Sequence, residues 1–217
     1  MQWILLLPVL IVSIVFHEVA HAWVARREGD PTAEREGRIT LNPIPHLDPV
    51  GSLLVPAALL AMGTGFIFGW AKPVPVNRAN IQTGAAGDIR VSLAGIVVNL
   101  LLAVLFAAVL FPLTTWMDTG PGTTAAILVD VAYYGVLINL ILAVFNLIPV
   151  PPLDGSHVLE HMLPEPLRDP YRRLGSIGAI ALLAVLFLVP GGFAVVMGPV
   201  YFLADLLFVA FGVRGSL

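Results

Sequence analysis

The chain contains no cysteine, which excludes disulfides and any thiolate metal site. Charge is scarce: 12% of its 217 residues are Asp, Glu, Lys or Arg, against roughly 25% in soluble domains. There is no basic excess, since 11 Lys and Arg face 14 Asp and Glu. Nucleic acid is therefore excluded as an expected partner, because its recognition needs clustered cations. No low-complexity linker or clear internal repeat interrupts the chain. What is present is apolar, with 58% hydrophobic residues and a mean hydropathy of +0.92. The composition is that of an integral membrane protein whose partner is the lipid bilayer, expected as one domain over residues 1–217.

A membrane span needs about 20 mostly apolar residues. Candidates are residues 2–25, 50–69, 89–111, 124–149, 175–190 and 194–212, separated by Pro- and Gly-rich breakers. The predicted fold is all-α and polytopic, with five to six transmembrane helices. Residues 3–16 resemble a signal-peptide core, but no basic residue precedes them and the helical pattern runs on past "AHA" at 20–22. The segment 50–69 is interrupted by Pro56, Gly63 and Gly65. If it crosses, four basic residues (Arg26, Arg27, Arg35, Arg38) lie opposite the other seven. If it enters and returns, all eleven share one face, as the positive-inside rule favours. The expectation is thus five crossings plus a re-entrant segment, with a β-hairpin as one form for "FIFGWAKPVPVN". Its exposed edge would be where an extended substrate adds as a strand.

Within the first apolar run, "HEVAH" places His17 and His21 four residues apart on one helical face. Two imidazoles so spaced can grip one Zn²⁺, with Glu18 beside them to handle protons. Ionisable groups at that depth are rare and usually functional, although histidines can also simply bond across helices. A catalytic zinc wants three protein ligands and an open position. Asp154 follows Pro149, Pro151 and Pro152, which forbid a continuous helix. Broken backbone at membrane depth persists only where it is buried or lines a cavity, so this carboxylate can reach a metal. A turn role beside Gly155 is the alternative. Only the re-entrant arrangement brings the exits of the first and fourth segments to one side.

"FHEVAHAWVA", "GRITLNPIPHLDPVGSLLVP", "FGWAKPVPVN", "SLAGIVVNLLLA" and "FNLIPVPPLDGSHVL" together resemble the site-two protease family of intramembrane zinc metalloproteases. The likeness covers most of residues 12–160 and is nearest to the small prokaryotic branch, without peptide-binding or nucleotide-sensing domains. It implies a catalytic core over about 1–160 and accessory helices over about 175–212. It also implies one Zn²⁺ per chain on His17, His21 and Asp154, with Glu18 as the catalytic base. Asn99 and Asn146 match family asparagines and are candidates to contact substrate or oxyanion; Ile96 stands where the family usually has proline. The implied activity is zinc-activated hydrolysis of peptide bonds in membrane-spanning proteins, near the cytoplasmic face of a prokaryotic inner membrane.

The remaining polar residues read as supporting parts. His46 suits interface hydrogen bonding. His157 and His161, four apart but without an added acidic partner, read as surface histidines rather than a second metal pair. Asp205 reads as solvated or paired with Arg214, Asn139 as an interhelical hydrogen bonder, and 27–38 as a solvated loop. Two rivals come from other classes. A divalent-metal transporter needs a path of ligands, often in repeated halves, whereas the ligands here concentrate at one depth. A non-catalytic membrane binding protein need not keep Glu18.

Overall fold

Inside hydrocarbon every backbone N–H and C=O must find an internal partner, so the long apolar runs become helices. The computed structural model describes residues 2–62 and 70–213. The helices are α1 (Gln2–Arg27), the short α2 (Thr32–Arg35) and α3 (Val55–Ala61). They are followed by α4 (Ala85–Trp116), α5 (Thr124–Leu147), α6 (Asp154–Met162), α7 (Glu165–Arg172), α8 (Gly175–Leu188) and α9 (Gly192–Ala210). Among the described residues, four stretches are long and apolar enough to cross a membrane: Leu5–Arg27, Ala85–Trp116, Thr124–Leu147 and Gly192–Ala210. α8 has 14 residues, fewer than the about 17–25 of an ordinary span. Residues 49–54 form a wide π turn capped by the Asp48 carboxylate and lead into α3.

No strand forms among the described residues, which corrects the β-hairpin expectation for 70–77; residues 66–69 lie outside the described residues. Pro73 and Pro75 have no N–H to offer a ladder. The amides of Trp70, Lys72 and Val74 are already committed, to Gly51 O (3.2 Å), His46 O (2.9 Å) and Glu18 Oε2 (2.8 Å). Residues 70–77 are instead an irregular strap across the end of the bundle.

α1 and α4 pack antiparallel. Along them Ser13 and His17 meet Asn99, His21 meets Val91, and Glu28 meets Arg90 and Thr83. The chain between α1 and α4 therefore leaves and rejoins the bundle at the same end. Small residues allow the close approach, as is general for helices in lipid: Ala22, Ala103, Ala107, Ala132 and Ala143 are buried. A second contact zone packs Ala103, Ala107, Val136 and Leu140 against Met197, Val200 and Ala204 of α9.

At the shared end Arg90 grips both oxygens of Glu28, at 2.7 and 2.9 Å. The hydrogen bonds from Arg90 and then Thr83 pull the Glu28 carboxyl down to about 2 from 4.5. A carboxylate with a depressed folded pKa stabilises the fold above its unfolded value and loses that contribution as pH falls through the folded one. The melting temperature is thus expected to drop between pH 4.5 and 2. Glu28→Gln should flatten that part of the profile, as differential scanning fluorimetry would show.

Candidate metal centre

The buried imidazoles of His17 and His21 stand edge to face, with ring centroids 4.6 Å apart. Each Nδ1 has a fixed partner on α4: His17 meets Asn99 Oδ1 at 2.6 Å, and His21 meets the Val91 carbonyl at 2.7 Å. The two Nε2 atoms face one another at 3.0 Å. Between those partners lies Gly95, four residues from each, and its missing side chain makes the space. A Cβ there would sit 2.5 Å from both His17 Cε1 and His21 Nε2.

Asp154 arrives from the other side. After α5 ends, residues 148–153 turn without helix and α6 begins at Asp154. Gly155 lets this start close onto the end of α5, because a Cβ there would lie 2.6 Å from the Leu147 carbonyl carbon and 3.0 Å from Ile148 O. Later helices brace the break: Tyr171 of α7 donates to Pro149 O at 3.0 Å, and Gly178 of α8 admits Pro151 O. The result puts Asp154 Oδ2 at 3.2 Å from His17 Nε2 and 3.3 Å from His21 Nε2.

These three groups fit a divalent cation. The Val91 carbonyl only accepts, so His21 Nδ1 carries a proton and Nε2 turns its lone pair inward whenever the ring is neutral. Asp154 Oδ2 is buried with no hydrogen-bond donor. Two imidazole nitrogens and a carboxylate oxygen thus converge on one point. A tetrahedral zinc with ligands at about 2.0–2.1 Å has ligand–ligand edges of about 3.3 Å, close to the separations above. Among the described residues, His17, His21 and Asp154 are the cluster able to hold a metal, their ligand atoms within 4.8 Å of one another.

Glu18 lies next to this triangle, half-buried on α1. Its Oε2 accepts from the Val74 amide of the strap. The strap is held in turn by Arg38, which donates to Lys72 O (2.7 Å) and Pro73 O (3.2 Å). Arg38 is only 3% exposed, so the reading of 27–38 as a solvated loop fails at this residue. It fails also at Asp30, whose buried carboxylate accepts from Thr32, Asn77 and Asn80. His46 is buried too; its Nε2 meets Thr40 O at 2.9 Å and its carbonyl takes the Lys72 amide.

A second polar group links the strap, α4 and α6. Arg78 pairs with Asp88 (3.3 Å) and Glu160 (3.2 Å), Arg172 pairs with Glu160 (2.6 Å), and His161 Nε2 meets Asp88 Oδ2 at 2.7 Å. Burial opposes ionisation of Glu160, but the hydrogen bonds from Arg172 and Arg78 outweigh it and hold its carboxyl below the usual range. Burial and the Arg78 charge keep His157 below its ordinary value. His157 and His161 therefore belong to an ion network that fastens α6, and with it Asp154, to α4. The buried acids Asp88 and Glu160 gave no sequence signal, because their partners lie far away in the chain.

The two candidate asparagines sit differently. Both ends of the Asn99 amide are taken, since its Nδ2 donates to Asn139 Oδ1 at 2.8 Å and its Oδ1 meets His17. Asn146, in the last turn of α5, donates to Leu142 O at 2.9 Å. Asp205 is exposed on α9, and Arg214, its expected partner, lies outside the described residues.

The model of peptidase family M50 matches residues 112–189. The chain is similar to the Bacillus subtilis protein named "Putative zinc metalloprotease YwhC", with 41% identity over 84% of this chain and 80% of that one. Two proteins given the same description under the name Rip2 are also similar. The one from Mycobacterium tuberculosis is 37% identical over 90% of this chain and 71% of its own length. The one from Mycolicibacterium smegmatis is 34% identical, covering 83% and 67%. No solved structure matches the chain.

Proposed function

Since this chain belongs to peptidase family M50, the site-two protease family, and is a metallopeptidase, we propose that it hydrolyses peptide bonds of membrane-spanning proteins within the bilayer, near the cytoplasmic face. The observation that carries the reading is the convergence of His17, His21 and Asp154 beside Glu18, with both histidines and Glu18 inside the apolar stretch Leu5–Arg27. His17, His21 and Asp154 hold one Zn²⁺ per chain. The topology is five crossings with a re-entrant segment at 50–69, all within one membrane domain with its core at about 1–160. It is supported by the antiparallel α1–α4 pair, which returns the intervening chain to the end where the basic residues gather.

Bound there, zinc supplies Lewis acidity, polarising the scissile carbonyl and acidifying water. Glu18 accepts the proton of the attacking water and passes it to the leaving amine, the work of a general acid–base group. The Val74 amide keeps that carboxylate in one orientation. Asn99 holds His17 with its ring plane fixed, as outer hydrogen bonds do for metal-binding imidazoles. Asn146 offers its amide to the substrate backbone. Substrates are transmembrane helices that must unwind locally, because a helical carbonyl is already hydrogen-bonded.

The test is cleavage of model transmembrane peptides by purified protein in liposomes. Stripping the metal with a chelator should abolish cleavage, and adding back zinc should restore it. Zinc flux across the liposomes without any peptide product would overturn the proposal in favour of transport.

A further inference from the structure

A chain of buried amides runs away from the metal centre. Asn99 and Asn139 are both 0% exposed and Ser13 is 1% exposed, all inside the α1–α4–α5 contact. Asn139 Nδ2 lies 2.8 Å from the Gly135 carbonyl and 2.9 Å from Ser13 Oγ. Asn139 Oδ1 lies 2.8 Å from Asn99 Nδ2, and Asn99 Oδ1 lies 2.6 Å from His17 Nδ1. Burying three polar side chains at this depth is costly unless each is satisfied, yet none of them touches the metal triangle directly except through His17.

We propose that Asn139 is a remote positioning residue whose amide, anchored on the Gly135 carbonyl, sets the tautomer of His17 through Asn99. The proposal rests on the zinc reading above and deepens it. A backbone carbonyl can only accept, so the NH₂ of Asn139 must face Gly135. That turns the Asn139 oxygen to Asn99, which can answer only with its own NH₂. The Asn99 oxygen is then left facing His17, whose Nδ1 must carry the ring proton. His17 Nε2 consequently presents a lone pair to the centre. The polarity of the relay follows from the acceptor-only Gly135 carbonyl, two side chains away from the imidazole, and agrees with the Ser13 carbonyl, which lies 3.5 Å from Asn99 Nδ2.

The test uses the full-length protein in detergent with ¹⁵N-labelled histidine. In metal-free wild type, the His17 signal, identified by its loss in His17→Gln, should report the Nδ1–H tautomer. Asn139→Leu removes the acceptor that orients Asn99. It should give a mixture of His17 tautomers and weaken zinc, measured by chelator competition, by about 10–100-fold, the usual consequence of losing an outer partner. Asn139→Asp, neutral at that depth, keeps one carbonyl and one O–H and should stay close to wild type in both measurements. An Nε2–H tautomer in wild-type protein overturns the proposal and needs no variant. So does an Asn139→Leu protein that melts earlier but keeps both tautomer and zinc affinity, since that is a packing role only. If His21→Ala binds zinc as well as wild type does, the zinc reading fails while the tautomer result still decides the relay.

Discussion

Glu18→Gln should lower kcat/KM on a model transmembrane substrate by about 10²–10⁴-fold, the contribution typical of a positioned acid–base group. Zinc content should stay at the wild-type level. The substitution keeps the side chain's size and keeps an oxygen that can accept from the Val74 amide, so the strap stays docked. It leaves the imidazoles of His17 and His21 and the Asp154 carboxylate untouched. What disappears is the ability to take a proton from water and deliver it to the leaving nitrogen. Metal analysis and peptide cleavage on the same preparations separate the cases. Loss of zinc along with activity would make Glu18 a structural element of the site. Full activity in the variant would remove it from the mechanism.

Gly95→Ala should empty the metal centre while leaving the protein folded. A methyl at that position would lie 2.5 Å from His17 Cε1 and His21 Nε2 and 2.6 Å from His17 Nδ1, where carbon contacts normally settle at about 3.5–4.0 Å. Either the rings rotate or α1 withdraws from α4. Rotation breaks the Asn99 and Val91 contacts, and withdrawal carries both imidazoles away from Asp154. Helix propensity pulls the other way, since alanine is favoured over glycine by about 1 kcal/mol in a helix interior. Zinc affinity is expected to fall by more than about tenfold without a comparable drop in helicity by circular dichroism. Gly198→Ala in α9, with nothing within 4 Å of the added carbon, is the control. Wild-type zinc binding in Gly95→Ala would show that the rings have room the geometry denies them.

Much of the architecture was legible because hydropathy and breakers act locally. The runs 2–25, 89–111, 124–149 and 194–212 correspond to α1, α4, α5 and α9 within a few residues. The spacing of His17 and His21 and the proline-interrupted approach to Asp154 could be read in the same way. What stayed hidden depends on pairings between distant segments. The Val91 carbonyl that orients His21 has no side-chain identity to read. Gly95 looks like any helical glycine until two imidazoles are placed against it. Arg38 sits in a run of alternating charge, and nothing in that run says which guanidinium turns inward to hold carbonyls 72 and 73. Asn139 reaches His17 only by way of Asn99, a contact that exists once three helices are packed. The strap could have been read better, because Pro73 and Pro75 already argue against a regular ladder.

Zinc X-ray absorption on the purified protein probes the central claim most directly. One zinc per chain is predicted, with two imidazole nitrogens at about 2.0–2.1 Å, carboxylate oxygen at about 2.0–2.2 Å and no sulfur. Asp154→Ala should lose an oxygen ligand or the metal itself. A spectrum without the paired imidazole signature, or one unchanged by Asp154→Ala, would contradict the convergence of these three side chains on a single ion.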